Sequence, residues 1–313
     1  MELGFLTSSL GAMDLRSIAA WAGSNGFAAL EVGAWPLDDP RTLNPGHVDV
    51  RHMDARRARE LREQFDEAGV DVSALAYYDN NLHRDRATRA AVHDHLRACI
   101  DAAALLGVPA VGTFIGRDVG ETVATNLAEA ERVFPPIVAH AETQGIVLVV
   151  ENCPMSGWHP DGYPANLAYS PELWEWMAGL GLRLNYDPSH LVGLGIDPLR
   201  ALRAHLPLVA HVQAKDVEVL DHRIDRFGFI GNAVDRSNPW DHAWWRYRVP
   251  GHGQVDWAGV IGELREGGYD GIVSVEHEDP YLSGSVPEVK RGLLAARAAL
   301  EPLLHTLVEE SSA

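Results

Sequence analysis

The chain has 313 residues, with 26 Lys and Arg against 44 Asp and Glu, a formal charge of −18 at pH 7. Its 46% hydrophobic and 22% charged residues make an ordinary globular composition, which excludes a disordered, collagen-like or small disulfide-stapled chain. The acidic excess repels phosphate backbones and anionic lipid, so neither nucleic acid nor a membrane surface is expected as a partner.

Two cysteines, Cys99 and Cys153, are too few for a disulfide framework and suit a reducing compartment. The stretch from Met1 to Met13 lacks the basic and apolar segments of a secretory signal and reads as a first strand. The most apolar region, Ala102 to Ile115, is interrupted by Gly107, Pro109 and Gly112 and is shorter than the roughly 20 residues that span a bilayer. A cytoplasmic location is expected.

In chain order, short aliphatic runs alternate with longer amphipathic stretches. The expected strands are Leu3 to Ser8, Ala29 to Ala34, Asp71 to Tyr77, Ala110 to Ile115, Val147 to Glu151, Arg183 to Tyr186, Val209 to Val212 and Gly271 to Glu276. In the third helix Val92, Leu96, Cys99, Ile100, Ala103 and Leu106 recur at three- and four-residue steps; Leu293, Ala296, Leu300, Leu303 and Leu307 do so in the last. The fourth helix, near Glu121 to Gln144, should kink or break at Pro135 and Pro136. Eight strand-helix pairs with right-handed crossovers close most simply as a single-domain (β/α)8 TIM barrel spanning residues 1–313. An open doubly wound sheet would want a glycine-rich phosphate loop after strand one, and Thr7-Ser8-Ser9-Leu10-Gly11 is not one.

Three connections are long, and each follows a strand, on the side where a barrel keeps its chemistry: Trp35 to Met53, Asn152 to Tyr169 and Val217 to Val255. The third is an insertion after strand seven, rich in Trp, Arg, Asp and His, with Trp240, Trp244 and Trp245 close together. It reads as a lid or binding loop, or as a surface for a second copy or a partner subunit.

Strands five to eight run into ionisable residues: Glu151, Asp187, His211 and Glu276. A single charge at a strand end is ordinarily a solvated group, but four around one barrel mouth point to a shared site. Three carboxylates and an imidazole form a hard, mostly oxygen donor set that suits Mn2+ or Mg2+, with Co2+, Fe2+ or Zn2+ also accommodated. Without a cation their mutual repulsion would raise at least one pKa. Glu278 shares strand parity with Glu276 and rivals it as the fourth ligand.

Val150-Glu151-Asn152, Asn185-Tyr186-Asp187-Pro188-Ser189-His190, His211 with Lys215-Asp216, Pro250-Gly251-His252-Gly253 ahead of Val255-Asp256-Trp257, and Ser274-Val275-Glu276 occur in an order and spacing that resembles the xylose isomerase-like barrels, specifically the sugar phosphate isomerase/epimerase group. The resemblance implies that Glu151, Asp187, His211 and Glu276 hold one catalytic divalent metal, usually manganese in the sugar epimerases. It also implies that Glu151 and Glu276 flank the substrate and exchange the proton beside its carbonyl. The chemistry calls for such groups, because that C–H becomes acidic only if the enediolate is stabilised, and two carboxylates on opposite faces allow removal from one side and return from the other.

His190 resembles the family position that binds a substrate oxygen, with helix capping as its other reading. Lys215 lies on the same strand face as His211 and either fixes a sugar hydroxyl or acidic group or pairs with Asp216. His252 in its glycine turn, and Trp158 with His159 after strand five, are expected to line a sugar site, with Tyr78 and Glu31 as further candidates. Arg246 and Arg248 either bind a phosphate or are structural. The additional histidines of a three-metal endonuclease are missing after strand four, which ends Thr113-Phe114-Ile115. The insertion also resembles that of subunits of C-glycoside deglycosidases and lyases acting on 3-keto-glycosides. The reading is therefore a metal-dependent sugar isomerase or epimerase acting on a small sugar or glycoside. Its alternatives are a β-eliminating lyase and a non-catalytic sugar-binding barrel.

Overall fold

A computed structural model of the chain describes residues 1–38, 44–229 and 244–305. Trp240 and Leu307 lie outside the described residues, as do residues 39–43 of the first long connection and 230–243 of the insertion.

The described strands are β1 (Glu2–Leu6), β2 (Ala29–Gly33), β3 (Asp71–Ala76), β4 (Ala110–Thr113), β5 (Val147–Glu151), β6 (Arg183–Tyr186), β7 (Val209–Ala214), β8 (Asp216–Val219), β9 (Trp245–Arg248) and β10 (Ile272–Val275). Eight of them close a parallel barrel in the order β1-β2-β3-β4-β5-β6-β7-β10, with β10 paired back to β1. The remaining two, β8 and β9, pair antiparallel as a ribbon inside the insertion that follows β7. The expected (β/α)8 TIM barrel with a long insertion after strand seven is the architecture found.

Several boundaries differ from the sequence expectation. The first strand ends at Leu6, because Thr7–Leu10 tightens into a 3-10 turn. The seventh extends two residues further, to Ala214, and carries Gln213 into the barrel. The fourth helix runs unbroken from Val123 to Gln144 through both prolines. The two missing N–H donors cost helix hydrogen bonds, but Val133, Phe134, Ile137 and Val138 flank them and are all buried, so packing holds the helix together.

The helices are α1 (Leu15–Ser24), α2 (Ala55–Ala68), α3 (Arg86–Leu106), α4 (Val123–Gln144), α5 (Pro171–Ala178), α6 (Pro188–Gly193), α7 (Pro198–His205), α8 (Asp221–Phe227), α9 (Trp257–Glu266) and α10 (Val286–His305). Many begin at a capping side chain that accepts a backbone N–H three residues on: Asp14, Asp54, Asp85, Thr122, Asp197 and Asp256. Each satisfies a donor that the helix itself leaves orphaned. The apolar stripe of α3 (Val92, Leu96, Cys99, Ile100, Ala103, Leu106) is buried throughout, as are Leu293, Ala296 and Leu300 of α10. Among the described residues no helix is long and apolar enough to cross a membrane.

One polar residue of α3 is part of this core. His95 bonds the Ala34 carbonyl through Nε2 at 2.7 Å, accepts from Arg51 Nε at Nδ1 (3.1 Å), and packs edge-on against Tyr77. Burial pushes its pKa below the ordinary 6.5, so the folded protein keeps the ring neutral while the unfolded chain takes up a proton near that value. The stability this contributes is present above pH 6.5 and is lost as the pH falls below it, by at most ~1.4 kcal/mol per pH unit for one proton. Between pH 7 and pH 5 the wild type should therefore lose more, or gain less, urea stability than His95→Gln, the other titrating groups being common to both. An unchanged pH dependence in the variant would refute the assignment.

Candidate functional site

Side chains of alternate parity on each barrel strand point inward. On β6 and β7 the register sets Asn185 beside His211, and the next inward pair along is Asp187 and Gln213, followed by Lys215. On β10, Ser274 is followed on the same face by Glu276 and Glu278. The lumen is therefore filled by polar groups in two layers.

The lower layer is a closed hydrogen-bond network. His211 Nδ1 meets Asn185 Oδ1 at 3.0 Å and its Nε2 meets Ser73 Oγ at 3.1 Å. Asn185 Nδ2 donates to the Tyr78 hydroxyl (2.7 Å), which donates to Glu31 Oε1 (2.6 Å). Glu31 also accepts from Ser274 Oγ (2.8 Å) and from Gln213 Nε2, at 3.1 and 3.3 Å to its two oxygens. Burial raises the Tyr78 phenol well above 10 and lowers the His211 imidazole, so the first stays a donor and the second stays neutral. Space for Tyr78 comes from Gly112 on β4, where a Cβ would sit 2.4 Å from the phenol oxygen.

Above it lies the acidic layer. Glu151, Asp187, His190 and Glu276 each present a donor atom, and these four atoms lie within 4.8 Å of one another. Glu151 closes β5; Asp187 follows β6 and caps α6, taking the Ser189 N–H on Oδ1 at 2.8 Å. Asn152 grips the Asp187 peptide from both sides, donating to its carbonyl (2.8 Å) and accepting from its N–H (2.7 Å). Asp187 Oδ2 is buried and accepts no hydrogen bond. His190, on α6, meets Glu151 Oε1 through Nε2 at 2.8 Å and the Tyr247 hydroxyl through Nδ1 at 2.9 Å.

The Lys215 side chain, 1% exposed, rises into this layer. Its Nζ lies 2.6 Å from Glu276 Oε2, 3.1 Å from Glu278 Oε2 and 3.4 Å from Asp187 Oδ2, and 4.5 Å from the centre of the Tyr247 ring. Burial pulls the ammonium down, but Glu276, Glu278 and Asp187 outweigh it and hold its pKa well above 10.5. Four carboxylates around one ammonium leave an excess of negative charge. Burial first, and repulsion from the neighbouring carboxylates with it, raises Glu151 to about 8 and pushes Asp187 and Glu276 up as well. A buried, acid-rich cluster in which Asp187 Oδ2 accepts no hydrogen bond and has only ion-pair neighbours at 3.4 Å fits a divalent cation, which Glu151, Asp187 and Glu276 would hold with His190 at its edge.

Several sequence expectations change. His211 is not in the four-donor group, because both ring nitrogens are engaged one layer down. Glu278 is ion-paired to Lys215 and stands outside that group too. Lys215 does not pair with Asp216, whose carboxylate accepts the N–H groups of Val217, Gly251, Gly253 and Val255. That staple ties the two ends of the insertion together, and it needs glycine at 253, where a Cβ would lie 2.3 Å from Asp216 Oδ1. His252, in the same turn, is exposed to solvent. Arg248 is paired with Asp279 (2.8 Å) and Glu218 (2.7 Å), and Arg246 with Glu218 (3.2 Å), so both are structural. Tyr78 and Glu31 belong to the lower network. Trp158 is half-buried and meets Phe114 edge-on, which in turn packs on Tyr78; His159 packs on Tyr163.

Asn152 stood in a sequence motif without a role of its own, and Ser73, Gln213 and Tyr247 escaped the sequence reading. Tyr247 had a signal, since Trp245-Arg246-Tyr247-Arg248 alternates aromatic and basic residues with the period of a strand. In β9 the two aromatics are buried and the arginines lie on the other face.

Residues 19–301 match a family model described as xylose isomerase-like TIM barrel. The chain is 26% identical over 329 residues to the uncharacterized protein YfiH of Bacillus subtilis (strain 168), covering 98% of this chain and 99% of that one. It is 36% identical over 104 residues to inosose dehydratase of Geobacillus thermodenitrificans (strain NG80-2), a match of 32% of each chain. Among solved structures, a D-psicose 3-epimerase studied in the presence of D-fructose superposes with a TM-score of 0.70 at 16% identity, over 98% of this chain and 100% of that one.

Filling the space at Gly112 tests the lower layer. Gly112→Ala should displace Tyr78 and cost about 1–3 kcal/mol of stability by overpacking. Tyr78→Phe in the same background should recover part of it in thermal or urea unfolding, whereas a neutral Gly112→Ala would contradict the close approach.

Proposed function

Because the chain belongs to the xylose isomerase-like TIM-barrel family, we propose that it is a divalent-metal-dependent sugar isomerase or epimerase, removing a proton beside a sugar carbonyl and returning it through an enediolate. The observation that carries this reading is the convergence of Glu151, Asp187, His190 and Glu276 donor atoms within 4.8 Å at the barrel mouth. A bound divalent cation would supply Lewis-acid polarisation of the carbonyl and its neighbouring hydroxyl, and the oxygen-rich donors suit Mn2+ or Mg2+.

The chain's own residues supply the proton chemistry. Glu151, whose carboxyl group burial raises to a pKa of about 8 in the cation-free cluster, is the first of the two proton-exchanging groups. Glu276, from a different strand, is the second carboxyl group, one removing the proton and the other returning it. His190 is held by Tyr247 on Nδ1 and presents Nε2 to the acidic cluster and to a substrate oxygen. Lys215 offers N–H donors to an oxygen that gains charge in the enediolate. Tyr247 and the buried walls keep water from that oxygen, which strengthens each of these interactions.

The partial match to inosose dehydratase favours a second reading, in which the same first step is followed by loss of a β-hydroxyl. Lys215 then protonates the leaving oxygen, and the outcome is elimination rather than reprotonation.

The test is a panel of ketoses and 3-keto-glycosides incubated in D2O with Mn2+-loaded protein. Deuterium should enter at the carbon beside the carbonyl with formation of the epimer or isomer, and Glu151→Gln and Glu276→Gln should each slow it by about 10²–10⁴-fold. Release of water or an aglycone would select the elimination reading. Metal binding without exchange across the panel would make the protein a sugar-binding barrel instead.

A further inference from the structure

Two residues beyond Glu151, and of the same strand parity, stands a thiol that the proton chemistry does not use. Cys153 is half-buried, and its Sγ lies within 4.8 Å of a donor atom of Glu151 and of one of His190. The segment that carries it is fixed. Asn166 Nδ2 donates to the carbonyls of Glu151 (3.0 Å) and Cys153 (2.8 Å), and the Ala165 N–H donates to the Pro154 carbonyl at 2.8 Å. Among the described residues Met155 alone of the non-glycines has a positive φ, 45°. Its thioether Sδ stands 3.4 Å from Cys153 Sγ.

This group differs in kind from the oxygen-rich one that includes Asp187 and Glu276. A thiol, an imidazole and one carboxylate are donors that thiophilic cations select, whereas Mn2+ and Mg2+ prefer oxygen. Three protein ligands of these types with an open fourth position suffice for a tetrahedral ion. With bonds of about 2.0–2.3 Å such an ion keeps its donors roughly 3.5 Å apart, so a closure of about 1 Å from the 4.8 Å spread is enough. The Met155 thioether borders the fourth position. The other cysteine, Cys99, is fully buried in α3 with its Sγ toward the Ala34 carbonyl (3.9 Å) and has no such neighbours.

We propose that Cys153, His190 and Glu151 form a second, thiophilic cation site that takes Zn2+ or Cd2+ and shares two of its three residues with the acidic cluster. Binding releases the thiol proton to solvent as the sulfur–metal bond forms, and nothing is oxidised or reduced. Because Glu151 and His190 belong to both donor groups, a thiophilic ion and a Mn2+ ion exclude each other. On the metal-dependent reading above, the thiophilic ion is then an inhibitor, since it occupies a proton-exchanging carboxylate; the site itself does not depend on that reading.

The experiment titrates metal-free full-length protein with Cd2+, read by the ultraviolet sulfur-to-cadmium charge-transfer band that a thiolate ligand gives, and separately with Mn2+, read by loss of the free-ion EPR signal. Wild type should develop the band, saturating at one Cd2+ per chain, and Cys99→Ser should keep it. Cys153→Ser and Cys153→Ala should abolish it and weaken Cd2+ binding by about tenfold or more. In competition, Cd2+ should return Mn2+ to the free pool at about tenfold lower concentration in wild type than in Cys153→Ser. Near-UV circular dichroism checks each fold; should the serine variant fail to fold, the alanine variant carries the test. Absence of the band in wild type, or its persistence in the folded Cys153 variants, overturns the site. Mn2+ binding without the band overturns this proposal and leaves the metal-dependent reading standing; the band without Mn2+ binding does the reverse.

Discussion

Excess negative charge buried at the mouth of the barrel is the constraint around which the rest is arranged. Glu151, Asp187 and Glu276 converge from three strand ends, Glu278 stands at their rim, and Lys215 is the ammonium among them. Burying carboxylates this densely is tolerated only where each is paired, hydrogen-bonded or protonated. Lys215, His190 and the raised carboxyl pKa values meet that requirement in part, and the remaining deficit of positive charge is what makes the cluster a candidate cation site. The lower network supports this layer from beneath. By spending its hydrogen bonds on Glu31, Tyr78, Asn185 and His211, it fixes which polar atoms remain to face upward.

The barrel itself was legible because its signals are local and repeated. Alternating apolar strands and amphipathic helices need no partner to be recognised, and the stripes of α3 and α10 fell where their periodicity placed them. Three of the clustered residues, Glu151, Asp187 and Glu276, were legible for a related reason: an ionisable side chain directly after an apolar strand stands at the barrel mouth whatever the details of packing. His190 was visible too, three residues past Asp187 on α6.

His211 shows where this reasoning ends. His211, Gln213 and Lys215 share one face of the β7 segment, and which of them reaches the acidic layer depends on how far along the lumen each sits. That level is set by a register shift between β6 and β7 at Leu184 and Asn185, which no single strand encodes. Strand length compounds the difficulty, since ending β7 at Val212 leaves Gln213 in a loop and out of consideration. The insertion was harder still. Tyr247 enters the site through an antiparallel pairing between segments about thirty residues apart, and Arg248, which composition leaves open as phosphate-binding or structural, is committed to Asp279 and Glu218.

The staple made by Asp216 separates two problems that such a barrel must solve. Because the backbone amides on both sides of the excursion converge on one carboxylate, the roots of the ribbon are fastened to the rim independently of what the intervening polypeptide does. Tyr247 sits close to one of those roots, so its hydroxyl stays on His190 while the distal sequence is free to be rewritten. The sequence between those roots can therefore change without disturbing the acidic layer beneath, and diversification of relatives is expected to concentrate there.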